Sequence, residues 1–209
     1  MLSPETTRDL ALINPYIQKM DHPRIESDLQ RLLDQMHGKY TVVDLGCGNG
    51  HFLQEYLLQH PDAVGLGVER RYKRAYLSAQ KMETAGVSTS RIAQMEIQEF
   101  FDHSPKGFWD EVWFQFPDPW PKARHEKNRM VNAEVFRQIY ESLKPGGRFC
   151  FRSDCRSYWE LLQAANIQFS LFPILRSQKG DLFFDAPTTL FQRKFMSLST
   201  PIYSLEFRK

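Results

Sequence analysis

Residues 40–57 constrain the fold more tightly than any other part of this chain. Tyr40-Thr41-Val42-Val43-Asp44-Leu45 is a β-branched run of strand length, Gly46-Cys47-Gly48-Asn49-Gly50 follows at once, and Phe52, Leu53, Tyr56 and Leu57 then fall at helical spacing. A strand that runs through a glycine turn into a helix opens a βαβ unit, and the pattern repeats. Val64, Leu66 and Val68 predict a second strand ending at Glu69, and Tyr72, Ala75, Tyr76, Ala79 and Met82 predict a helix closed by Gly86. A polar third strand is placed around Arg91 to Met95, a fourth at Glu111 to Phe116, and a fifth at Arg148 to Arg152. Asn132 caps a helix carrying Val135, Phe136, Ile139, Tyr140 and Leu143 on one face, and Lys144-Pro145-Gly146-Gly147 ends it. Another helix runs through Tyr158, Leu161, Leu162 and Ala165. Phe169 to Leu175 and Ile202 to Phe207 read as a closing antiparallel strand pair, with Asp185 to Lys194 as a loop between them.

Strands alternating with helices predict an α/β fold, a mainly parallel sheet with helices on both faces. An amphipathic helix over Arg24 to Met36 precedes it, and residues 1–23 read as an irregular arm. With 209 residues and no linker or repeat, a single domain over 1–209 is expected. There is no apolar run of membrane-spanning length and no signal sequence, which predicts a cytoplasmic protein. Three cysteines without a CxxC pair, and six scattered histidines, predict neither a disulfide framework nor a metal site. Oligomeric state is left between monomer and homodimer.

In such sheets, ligands bind beyond the carboxyl ends of the strands. Asp44, Gly46, Glu69, Glu96, Asp118 and Asp154 each fall at or just past a predicted strand end. The glycine spacing is GxGxG rather than the GxGxxG of dinucleotide sites, and no GxxxxGK[ST] phosphate loop is present. An acid at Asp44 would repel a pyrophosphate. It suits a ligand with a positive ammonium and sulfonium, as S-adenosylmethionine has. Glu69 lies at the usual offset for a ribose-binding acid.

The fourth strand enters Phe116-Pro117-Asp118-Pro119-Trp120-Pro121-Lys122, where two prolines stiffen the backbone around one carboxylate. Either this is an ordinary surface turn with Trp120 as a core anchor, or it is a rigid substrate loop. Net charge is only +2, but positive charge gathers at Arg70-Arg71-Tyr72-Lys73-Arg74 and at Lys122, Arg124, Lys127 and Arg129. These runs are either solvated faces or one phosphate-binding patch.

Asp44-Leu45-Gly46-Cys47-Gly48-Asn49-Gly50 resembles motif I of the class I S-adenosylmethionine-dependent methyltransferases, and Leu143-Lys144-Pro145-Gly146-Gly147 resembles their turn before strand five. Within that class, Phe116-Pro117-Asp118-Pro119-Trp120-Pro121-Lys122-Ala123-Arg124-His125-Glu126-Lys127-Asn128-Arg129 closely resembles the FPDPWxKxRHxKxR signature of the bacterial tRNA (guanine-N7)-methyltransferases. Thr189-Leu190-Phe191-Gln192-Arg193-Lys194-Phe195 looks like the family's TxxExxF segment, with Gln192 where the family usually has Glu.

The resemblance implies a Rossmann-like fold with a seven-stranded sheet, S-adenosyl-L-methionine as cofactor and tRNA as substrate. It implies cofactor binding by Asp44, Gly46, Gly48, Glu69, Glu96 and Asp118. Asp118 becomes the catalytic group, orienting guanine and offsetting charge rather than acting as a base. Lys122, Arg124, Asp154, Thr189 and Gln192 become the substrate contacts. Other readings are a class I methyltransferase acting on another substrate and a non-catalytic tRNA-binding module that keeps the fold; a nicotinamide dehydrogenase fits the glycine spacing worst.

Overall fold

The computed structural model describes residues 15–26, 28–118, 130–183 and 185–209. Seven strands form one sheet: β1 (Tyr40–Leu45), β2 (Ala63–Val68), β3 (Ser90–Ala93), β4 (Trp109–Gln115), β5 (Leu143–Ser153), β6 (Ile174–Lys179) and β7 (Tyr203–Arg208), in the spatial order β3-β2-β1-β4-β5-β7-β6. The first five strands pair in parallel, with Asp44 beside Gly67 on one side and Trp113 on the other. β7 lies antiparallel between β5 and β6. Helices α1 (Leu29–Met36), α2 (His51–Gln59), α3 (Tyr72–Thr84), α4 (Ile97–His103), α5 (Ala133–Ser142), α6 (Arg156–Phe169) and α7 (Leu190–Ser197) complete the described elements.

Both sheet faces are covered because each central strand is apolar on both sides. On one face α1, α4, α5 and α6 bring Leu33, Phe100, Phe136 and Leu162 against Val43, Val112 and Phe149. On the other, α2 packs Phe52 and Tyr56 against Trp113, whose ring also meets Phe183. At the amino-terminal ends of the strands, buried Glu111 accepts from Tyr40 Oη at 2.6 Å and Trp113 Nε1 at 2.7 Å and pairs with Arg148 at 2.8 Å.

The mainly parallel sheet and its closing antiparallel pair agree with the sequence expectation; several boundaries do not. The first helix starts at Leu29 rather than Arg24, because the Asp28 carboxylate caps the Arg31 N–H. Residues ahead of it instead extend beside β3, with Ile25 bridged to Ile92. Helix α4 was not expected at all, although Ile97, Phe100 and Phe101 are buried at helical spacing. Phe169 ends α6 rather than opening a strand: Ser170 turns left-handed at φ 50°, the Asn166 side chain bonds both N–H and C=O of Phe172, and the strand begins only at Ile174. The presumed loop to Lys194 contains the start of α7, capped by the Thr189 hydroxyl, which accepts from the Gln192 N–H at 3.0 Å. β5 starts at Leu143, before the Lys-Pro-Gly-Gly turn, with an irregularity in its pairing to β4 between Trp109 and Glu111. Most of the amino-terminal arm lies outside the described residues; Gln18–Met20 forms one 3₁₀ turn.

Candidate active site

The chain runs β1 to β3 in one direction and then crosses back to place β4 on the other side of β1. A crevice opens where the order reverses. It is a cavity of about 320 Å³, within the range of small-molecule sites.

One end of the cavity is acidic. Asp44, the penultimate residue of β1, is 3% exposed, and Glu69, just past β2, is 5% exposed. Burial, reinforced by the nearby Glu69 charge, pushes the Asp44 carboxyl up to about 8; the Gln115 amide works against the rise. Glu69 accepts from the Gly48 N–H through Oε2 at 3.1 Å and from the Arg71 N–H through Oε1 at 2.8 Å. Each carboxylate oxygen keeps acceptor capacity beyond one bond, so Glu69 can hold hydroxyls as well as pin the turn. The turn needs glycine at Gly50 for two reasons: φ is +71°, and a Cβ there would stand 2.2 Å from Ser78 Oγ. At Gly48, where φ is +58°, a Cβ would meet nothing, so the backbone lies open to the cavity. Cys47 is buried, and burial with the two acids pushes its thiol well up, which makes it a packing group rather than a nucleophile.

The other end is aromatic and rigid. β4 stops at Gln115, and Phe116 adopts φ 47°, an uncommon conformation for an aromatic side chain. It is held by its N–H donating to Arg152 C=O at 2.7 Å and by its ring packing 5.4 Å from Phe195 and 6.4 Å from Phe191. Asp118 follows, exposed on the rim, with Tyr158 Oη donating to its backbone carbonyl at 3.0 Å.

Asp44, Gly46, Gly48, Glu69, Glu96, Asp118 and Thr189 all line this cavity. Glu96 sits at the rim, ion-paired to Arg70 at 3.5 Å. Asp154 lies past the end of β5 but is not on the cavity wall. Gln192 is 3% exposed and lies behind Thr189 and Phe191, its amide donating to Asp181. Lys122 and Arg124, with Trp120, lie outside the described residues. Arg70 and Arg71 reach the cavity wall from the β2–α3 turn, and Arg74 from the first turn of α3.

Sequence reading passed over Arg152, which is fully buried in β5. Its guanidinium pairs with both oxygens of Asp181 at 2.9 and 3.2 Å, and donates to Gln115 Oε1 at 2.9 Å and to the carbonyls of Phe183 and Pro187. A cation inside the otherwise apolar run Phe149-Cys150-Phe151-Arg152 was the available signal, since unpaired buried arginines are rare. Phe191 and Lys194 line the cavity because α7 replaces the expected loop.

The chemistry of the acidic end fits S-adenosylmethionine. Two buried carboxylates face a cavity with open glycine backbone, so a ligand bringing a sulfonium and an ammonium supplies the missing positive charge, and vicinal hydroxyls find acceptors at Glu69. Among the described residues no cluster of His, Cys, Asp and Glu could hold a metal, and no helix is long and apolar enough to cross a membrane.

A parallel sheet ending in an antiparallel pair, with a glycine turn and strand-end acids at the reversal, defines a class I S-adenosylmethionine-dependent methyltransferase. Solved structures share the fold at low sequence identity. A 30S ribosomal A1408 methyltransferase from an uncultured bacterium superposes with a TM-score of 0.59 at 19% identity, over 87% of this chain and 92% of that one. A SAM-dependent methyltransferase from Archaeoglobus fulgidus gives 0.55 at 14%, over 87% and 91%. A family model described as "Putative methyltransferase" matches residues 38–205, and the chain belongs to that family. Its curated relatives include proteins named tRNA (guanine-N(7)-)-methyltransferase. The one from Exiguobacterium is 28% identical over 91% of this chain and 92% of its own length. The one from Jannaschia is 29% identical over 72% of this chain, a match that spans only 63% of that relative.

Proposed function

We propose that this protein transfers a methyl group from S-adenosylmethionine to N7 of a guanine in tRNA. The observation that carries the reading is that one cavity joins the buried Asp44–Glu69 pair to the Phe116–Asp118 turn and to α7. A relative whose name states this activity aligns over 91% of the chain, and the family model spans both the glycine turn and the Phe116–Asp118 turn.

The bound cofactor supplies an electrophilic methyl on a positively charged sulfur. Asp44 balances the cofactor's charge, Glu69 accepts from the ribose hydroxyls, and Glu96 accepts from the adenine amino group at the rim. Guanine N7 already has an in-plane lone pair, so no general base is needed and the work left to the protein is positioning. Asp118, on a turn fixed by Phe116 and Tyr158, orients the base and offsets the positive charge that develops on its ring. Gln192 is the acceptor for a guanine N–H in this reading; its Oε1 is buried without a hydrogen-bond partner among the described residues, but the side chain is set back from the cavity wall that Thr189 and Phe191 line. Thr189 lines the same wall. Lys122, Arg124 and the Arg70–Arg74 run hold phosphates, Asp154 contacts substrate from the end of β5, and the reaction takes place in the cytoplasm.

The test is to incubate the protein with labelled cofactor and tRNA lacking this modification, then map 7-methylguanine by chemical strand cleavage. A mark at a variable-loop guanosine is expected. Methyl transfer to another nucleobase, or none at all with cofactor bound, would overturn the reading.

A further inference from the structure

Two glutamine amides flank the Arg152–Asp181 ion pair, and the pair fixes which end of each is free. Gln115 Oε1 accepts from Arg152 Nη1 at 2.9 Å, which leaves Nε2 buried beside the Asp44 carboxyl, with no direct hydrogen bond of normal length among the described residues. Gln192 gives its Nε2 to Asp181 Oδ2, which leaves Oε1 buried and with no hydrogen-bond partner among the described residues. Neither amide can flip, since a flip would set N–H groups against a guanidinium or an oxygen against a carboxylate. The result is one spare donor and one spare acceptor of fixed polarity, where a buried polar atom without a partner calls for a ligand or water.

Gln115 is the one of the two that lines the cavity, immediately before the Phe116 turn. Its neighbour Asp44 decides what its spare donor can meet. The α-carboxylate of the cofactor is disfavoured beside a buried acid that must itself balance positive charge, whereas a neutral carbonyl oxygen carries no such penalty. Even with one N–H turned toward Asp44, the second remains available.

We infer that Gln115 is a specificity-determining residue that donates a hydrogen bond to O6 of the target guanine, its amide oriented by Arg152. This rests on the guanine-N7 reading above and deepens it. O6 and N7 are neighbouring acceptors on the same edge of guanine, so a donor on O6 also places N7. Adenine presents an amino donor at that position, which the locked Nε2 rejects because Gln115 cannot offer its oxygen instead.

The experiment pairs protein variants with a single base change. Ligated tRNA carrying guanosine or 6-thioguanosine, whose sulfur is a weak acceptor, at the position that the wild-type protein methylates is assayed with wild type, Gln115→Leu and Gln115→Glu. Gln115→Glu keeps an acceptor for Arg152 but removes the donor, and serves as the folded control. Wild type is expected to lose about tenfold in kcat/KM on the thio substrate, and both variants to lose about tenfold on guanosine with little further loss on thioguanosine. Equal losses by each variant on both substrates in proportion to wild type would overturn the inference, since Gln115 would then act only through Arg152. Weakened cofactor binding in a calorimeter with the base preference intact would also overturn it, by assigning the donor to Asp44 or the cofactor. Wild type that makes no 7-methylguanine sinks the guanine-N7 reading itself, an outcome separate from either of these.

Discussion

Glu69 Oε2 accepts a hydrogen bond from the Gly48 N–H at 3.1 Å, so the acid at the end of β2 holds the glycine turn that follows β1. The turn is therefore shaped by the same group proposed to bind ribose. Glu69→Gln keeps one acceptor for Gly48 but loses the charge and an acceptor oxygen, and we expect cofactor affinity to fall at least about tenfold with the melting temperature little changed. Calorimetric titration checks it; unaltered affinity would remove Glu69 from the cofactor site.

Asp44 links binding to pH. Its carboxyl is raised to about 8 in the free protein, mainly by burial and then by Glu69. A cationic ligand favours the charged form, so binding near pH 7 should release close to one proton, and affinity should climb as pH rises toward 8 and then level off. Titrations in two buffers of different ionisation enthalpy count that proton.

The same raised value has the opposite sign for stability. A carboxyl whose folded value exceeds its unfolded one costs stability as pH rises from the ordinary carboxylate range to about 8. Asp44→Asn should therefore raise the melting temperature of the free protein at pH 8 while abolishing cofactor binding. A lower melting temperature would show that the charge at this position is stabilising after all.

Asp118 is exposed and its carboxylate accepts no hydrogen bond given for the described residues, while its backbone carbonyl accepts from the Tyr158 hydroxyl. Asp118→Ala should leave folding and cofactor affinity within a few fold and lower methyl transfer by about a hundredfold or more, the scale of one lost charge-stabilising group. Single-turnover rates at saturating tRNA separate this from weaker binding.

Glu111 makes three contacts at the opposite end of the sheet, far along the strands from the cavity. Glu111→Ala strands Arg148 and the Trp113 N–H, and we expect a loss of about 3 kcal/mol in urea unfolding. Cofactor affinity per folded molecule should not move.

The parts of this molecule that were legible in the sequence are those where one local rule decides. β1, its glycine turn and α2 announce themselves through a change of apolar period, and the strand-end acids follow from that reading. The misplaced parts depend on contacts between distant segments. Ile25 lies beside Ile92 because β3 offers it an edge, and α7 forms because Thr189 caps it and Phe195 packs on Phe116. Gln115 on β4 and Gln192 on α7 could not be paired from sequence, because what relates them is Arg152 of β5, reached from Gln192 through Asp181.

The placement of β7 between β5 and β6 sets a timetable for folding. β6 pairs with no other strand among the described residues, and its Ile174 is half exposed even with β7 in place. A chain without Tyr203 to Arg208 has α6 and β6 but an open edge on β5 and no neighbour to close it. A chain halted before Tyr203 should thus accumulate as sedimenting aggregate rather than as a soluble, partly active enzyme.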